Sequence, residues 1–145
     1  MYPTSKHIIH LNISYIIYPT SSYIYMKQAN VTLQKSFDFA VRIIRLYQHL
    51  KDEKKEFTIS KQLLRSGTSV GANLREAYNG ESDKDFIHKL GIAQKECDET
   101  AYWLELLSTT NILNKQEFES IYLDCRELLK IIKSIILTKK QNMRN

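Results

Sequence analysis

The sequence predicts an all-α protein, an up-and-down antiparallel four-helix bundle with a poorly ordered N-terminal extension. Three observations predict it. Only 4 glycines and 2 prolines occur in 145 residues, which permits long helices and disfavours a turn-rich β fold. From residue 26 onward, apolar side chains recur at steps of three and four. The 43% hydrophobic content is enough for one core in a chain of this length, without disulfide or metal.

The first helix is expected over about Leu33–Leu50, with Phe37, Ala40, Ile44, Tyr47 and Leu50 as its inward stripe. The charged run Lys51–Glu56 then forms a solvated connection. A second helix over about Ile59–Asn79 turns Ile59, Leu63, Val70, Leu74 and Ala77 inward. Its Gly67 and Gly71 each cost about 1 kcal/mol of helix propensity relative to Ala, which close approach by another helix would offset. Gly80 breaks this helix, and Ser82 with Asp83 and Asp85 supplies an N-cap and first-turn acids for a third. There Phe86, Leu90, Ala93, Cys97, Thr100, Leu104 and Leu107 alternate steps of four and three without a slip, which is bundle packing. Asn114 followed by Glu117 reads as a capping box for a fourth helix running to about Lys139. Phe118, Ile121, Cys125, Leu128, Ile132 and Ile135 form its first apolar row. Tyr122, Leu129 and Ile136 form a second row beside it. A stripe this wide suggests a partner chain, so these three residues are the expected oligomer interface.

Tests for chemistry are negative. A di-iron bundle needs Glu-x-x-His on two helices plus two more carboxylates, and only Asp85-x-x-His88 comes near it. His7, His10, His49 and His88 fit no zinc spacing, so neither a metal nor a cofactor is expected. Cys97 and Cys125 occupy apolar helical positions and are expected to face each other as reduced core thiols. Gly67 and Gly71 lack the Lys-Ser/Thr pair of a phosphate loop. The expected protein is not an enzyme. No run approaches the roughly 18 apolar residues of a membrane span, which points to a soluble, cytoplasmic protein without a membrane partner.

The polar row Arg65, Ser66, Ser69, Asn73 and Glu76 on the second helix needs partners, because unpaired buried polar groups cost about 1–3 kcal/mol each. With an antiparallel hairpin about Gly80–Ser82, Arg65 and Ser66 come level with Glu96 and Cys97, and Glu76 comes near Lys89. Interhelix bonds such as Arg65 to Glu96 would satisfy the row, and a ligand groove lined by the same residues is the alternative.

These residues also carry a resemblance. Gln62, Leu63, Arg65, Ser66, Ser69, Asn73 and Glu76, followed by Phe86, Ile92, Ala93 and Glu96, make this chain similar to the bacterial four helix bundle proteins. Members of that family are best known from reading frames inside intervening sequences of 23S ribosomal RNA genes. The resemblance spans about Met26–Lys140 and implies a non-enzymatic bundle that assembles into a ring, expected to be a pentamer. A similar bundle is the accessory protein of diversity-generating retroelements, so RNA, DNA and a reverse transcriptase or other protein enter as expected partners by analogy.

Residues 1–25 stand apart: they hold both prolines, and Lys6 is their only Lys, Arg, Asp or Glu. Because Met26 lies where family members usually begin, they read either as an upstream segment translated from a misplaced start or as a β-prone arm. Low order is expected there in either case, so the domain is taken as residues 26–145.

The formal net charge is +5, and setting Lys6 aside leaves 20 basic and 16 acidic residues after residue 25. Their distribution is uneven. Lys130, Lys133, Lys139 and Lys140 follow the last acid, Glu127, while Arg42 and Arg45 lie near the first connection. These six are the expected nucleic-acid contacts, with salt-dependent and sequence-independent affinity. The alternative is a protein interaction module that binds a partner protein and no nucleic acid.

Overall fold

A computed structural model describes the backbone of residues 20–145 as four helices: α1 (Thr20–Asp52), α2 (Ile59–Tyr78), α3 (Asp83–Thr109) and α4 (Lys115–Asn142). The chain divides between Thr32 and Leu33, and the bundle is the unit Leu33–Asn145. Within it α1 packs on α2 and α4, and α3 joins α2 to α4, so sequence neighbours are antiparallel neighbours in space. Among the described residues no helix is long and apolar enough to cross a membrane.

The expected caps form. Ser82 Oγ accepts from the Asp85 amide at 3.1 Å, and Asn114 with Glu117 closes a reciprocal capping box. The start of α2 is built differently. Thr58 makes no side-chain cap, and the Glu56 carboxylate instead accepts from the amides of Thr58, Ile59 and Ser60 at 3.1, 2.8 and 2.6 Å. Burial raises the pKa of Glu56, and these bonds outweigh it, holding the carboxyl below its ordinary range.

The core runs through all four helices. Every inward position expected on α3 is buried, as are Leu63, Val70, Leu74 and Ala77 on α2. The two α2 glycines let α1 approach closely: a Cβ on Gly67 would lie 2.8 Å from Ile43, and one on Gly71 would lie 3.3 Å from Ser36 Oγ.

Three expectations need correction. First, α1 begins at Thr20 rather than Leu33, so residues 20–25 are helical; Pro19 sits just before this start, and neither Pro nor Gly follows until Gly67. The expectation for residues 1–19 lies outside the described residues. Second, the α1 stripe is rotated by about one residue. Ser36, Phe39, Ile43 and Leu50 are buried, whereas Phe37 is 51% and Ile44 41% exposed, because α2 seats its glycines against Ser36 and Ile43. Third, Leu129 and Ile136 are 2% and 9% exposed within one chain, and Tyr122 is half-buried with its hydroxyl on Glu105. Most of that row is thus packed inside the single chain; the exposed apolar residues of α4 are Leu123 and Leu137.

Candidate nucleic-acid interface

Three contacts fix the register of α3 against α4. Tyr122 donates to Glu105 at 2.8 Å, Cys97 Sγ lies 3.7 Å from Cys125 Sγ, and Lys139 pairs with Asp83 at 2.7 Å. Followed outward, this register sets Lys130 level with Lys95, Lys133 with Gly91, and Lys140 with Lys84. Arg126, Lys130, Lys133 and Lys140 recur at steps of four, three and seven, so they share one side of α4. Lys84, His88, Gly91 and Lys95 recur at steps of four and three on α3. The two rows form one shallow face with no Cβ at Gly91, and all six of its lysines and arginines are exposed. None of the six forms an ion pair with a described residue.

The six expected contacts divide. Lys130, Lys133 and Lys140 lie on this face. Lys139 is bound by Asp83 and stacks over Phe86, with Nζ 5.8 Å from the ring centroid. Arg42 is bound by Asp124 and also reaches Ser120 Oγ at 2.7 Å. Both are bundle fasteners, and their charge is largely neutralised. Arg45 is exposed, but its helix meets α4 near Ser120, about 15 Å along the axis from Lys130. In turn the structure adds Lys84, Lys95 and Arg126. Arg126 was readable from its spacing to Lys130 and Lys133, whereas the two α3 lysines needed the interhelix register.

The row on α2 is satisfied from within the bundle. Arg65 reaches Glu96 at 3.2 Å and also binds Glu99, which accepts from Trp103 Nε1 at 3.1 Å. The Arg65 bond, opposed by burial, holds the Glu99 carboxyl below its ordinary range. Ser66 and Thr100 share a buried hydrogen bond at 2.8 Å. Ser69 and Asn73 bond the carbonyls of Arg65 and Ser69, and Lys89 pairs with Glu76 at 2.6 Å. Arg65, Ser66, Glu76 and Glu96 thus fasten the α2–α3 hairpin, while Ser69 and Asn73 are satisfied by carbonyls of their own helix.

The two cysteines are not poised as nucleophiles. Cys97 and Cys125 are free, fully buried thiols, each near the other's carbonyl oxygen at 3.2 and 3.3 Å. The hydrogen bond with Cys97, followed by burial, pushes the Cys125 thiol far up and disfavours the nucleophilic thiolate. Among the described residues no group of three or more His, Cys, Asp or Glu could hold a metal ion.

Comparison with known proteins places this arrangement. A family model described as 23S rRNA-intervening sequence protein matches residues 28–134. A crystal structure of a protein of unknown function from the S23 ribosomal protein family of Bacteroides thetaiotaomicron VPI-5482, at 1.70 Å resolution, is 54% identical in sequence. It aligns with a TM-score of 0.74 over 75% of this chain and 97% of that one. No curated protein matches the chain.

Proposed function

The chain belongs to the 23S rRNA-intervening sequence protein family, and from that premise we propose that it is a non-enzymatic, homo-oligomeric scaffold that associates with nucleic acid. The observation that carries the reading is the α3–α4 face. Arg126, Lys130, Lys133 and Lys140 of α4, with Lys84 and Lys95 of α3, gather six exposed cations without an ion pair on two neighbouring helices, whereas Lys35, Arg42 and Lys139 are tied to acids. Unpaired cations on a rigid two-helix platform release counterions from phosphates, which gives affinity without sequence preference. Neither row holds Phe, Tyr or Trp, which favours the phosphate backbone over the bases as the ligand group. In a closed ring, taken as a pentamer, the face recurs once per subunit and its weak local affinity multiplies.

The test is a titration of the full chain with unrelated RNA and DNA at several salt concentrations. Binding should fall steeply with salt, and the variant Lys130→Gln/Lys133→Gln/Lys140→Gln should flatten that dependence. Absence of binding at low salt ends this reading. It would leave a module for a protein partner, a reverse transcriptase among the candidates, which the exposed Phe37, Ile44 and Tyr102 favour.

A further inference from the structure

The α3–α4 face carries its cations in two rows, and the interhelix register pairs them across the seam. Lys84 stands level with Lys140, Lys95 stands level with Lys130, and Lys133 lies opposite Gly91. The two rungs are about 15 Å apart along the axis, the length of Lys130–Lys140 at 1.5 Å per residue. Across the seam the spacing is that of two packed helices, about 8–10 Å, since α3 and α4 touch through Cys97 and Cys125. Past Lys95 the α3 row continues to Asp98 and Tyr102, and the acid bounds the cationic patch on that side.

Gly91 gives a second indication of what lies above this face. A glycine inside a helix loses propensity relative to alanine. At Gly67 and Gly71 the space so opened is filled by Ile43 and Ser36 of α1, whereas a Cβ on Gly91 would meet nothing within 4 Å. No described residue uses that opening. It lies on α3 between Lys84 and Lys95, where the bare backbone admits close approach from outside the chain.

We propose that the face takes double-stranded nucleic acid, with one phosphodiester strand along Lys84, Gly91 and Lys95 and the other along Lys130, Lys133 and Lys140. The inference rests on the nucleic-acid reading proposed above and names its ligand class. A single strand has one line of phosphates, so it follows the longer α4 row and leaves Lys84 and Lys95 without a partner. A narrow duplex groove presents two lines. The minor groove of B-form DNA is about 6 Å wide, which sets its flanking phosphates roughly 10 Å apart from centre to centre, the scale of the two rows. The major groove of A-form RNA is likewise narrow, while that of B-form DNA, about 12 Å wide, spreads its strands beyond them. The shared chemistry is a pair of phosphodiester strands facing each other across a narrow groove. The strand over α3 rests on Gly91, where no side chain holds it off the helix.

The experiment titrates the full chain with a DNA duplex, an RNA duplex, oligothymidylate and oligouridylate, all of one length, at several salt concentrations. A duplex carries the denser charge and binds any cationic patch more tightly, so the deciding measurement is the effect of removing the α3 row. Lys84→Gln/Lys95→Gln should weaken duplex binding with helical content unchanged and leave single-strand binding as it was. It should also lessen the slope of log K against log salt on a duplex by about 1.8, two contacts at 0.9 each. Gly91→Leu should weaken duplex binding alone while raising the melting temperature, since leucine improves helix propensity and meets open space there. Lys130→Gln/Lys133→Gln should weaken duplex and single strand alike. Binding of either duplex in this pattern fulfils the proposal, and the tighter one identifies the groove that is straddled. If the α3 variants weaken single strands as much as duplexes, or change neither, the duplex assignment is overturned and the nucleic-acid reading stands. If wild type binds none of the four probes at low salt, both are overturned.

Discussion

The hydroxyls of Ser66 and Thr100 share a 2.8 Å hydrogen bond across the fully buried α2–α3 contact, with Thr100 also bonded to the Glu96 carbonyl at 2.7 Å. Removing one partner leaves a buried hydroxyl short of a bond, whereas removing both leaves an apolar contact of nearly the same shape. Ser66→Ala should therefore lower unfolding stability by about 1–2 kcal/mol. Ser66→Ala/Thr100→Val should cost less than the sum of the single changes. Urea melts of the four proteins measure this, and strict additivity would show that the two hydroxyls are not coupled.

Gly67 sits where a Cβ would meet both Cγ atoms of Ile43 at 2.8 Å. Alanine gains about 1 kcal/mol of helix propensity at either glycine, but at Gly67 it must also push α1 away. Gly67→Ala should destabilise by about 1–3 kcal/mol, the cost of overpacking. Gly71→Ala meets Ser36 Oγ at 3.3 Å, so its effect should be smaller. Thermal melts should rank the two, and Ile43→Ala in the Gly67→Ala background should cost less than it does in wild type.

The same glycines explain what the sequence could and could not reveal. The inward row of α3 was legible throughout because it alternates steps of four and three from Phe86 to Leu107 without a slip, which fixes the choice within its adjacent apolar pairs. On α1 the apolar residues come in near-adjacent pairs, Phe37 with Phe39 and Ile43 with Ile44. Periodicity cannot choose within a pair, and the contacts at Gly67 and Gly71 make the choice. The width of the α4 stripe was read correctly but assigned to a partner chain, whereas Leu129 and Ile136 are buried within the single chain. At the candidate site, Lys130, Lys133 and Lys140 followed from charge alone. Arg42 and Lys139 did not, because the acids that hold them, Asp124 and Asp83, belong to other helices.

Glu56 makes part of the stability pH-dependent. Its folded-state pKa lies below the ordinary value of 4.5, because the three amides that begin α2 outweigh the penalty of burial. A depressed carboxyl contributes stability that is fully present above its unfolded value and is lost as pH falls through the folded value. Glu56→Ala should cost about 1 kcal/mol at pH 7, the usual worth of a helix cap. The gap to wild type should shrink as the pH falls below 4.5. Denaturant midpoints across that window test it, and a gap that widens in acid would refute the assignment.

Arg42 and Arg126 carry the same charge but should answer different measurements. Arg42 is held between Asp124 and Ser120, so its removal should loosen α1 from α4 and leave phosphate binding nearly unchanged. The pair is partly exposed, so Arg42→Gln should lower stability by no more than about 1 kcal/mol. Arg126 is exposed on the α3–α4 face and has no ion partner among the described residues. Arg126→Gln should leave the denaturation midpoint in place, weaken RNA and DNA binding alike, and lessen the slope of log K against log salt by about 0.9, one phosphate contact on a duplex. Melting curves and salt-dependent titrations of both variants decide the matter. If Arg42→Gln changes the salt slope as much as Arg126→Gln does, the binding surface extends around α4 onto α1.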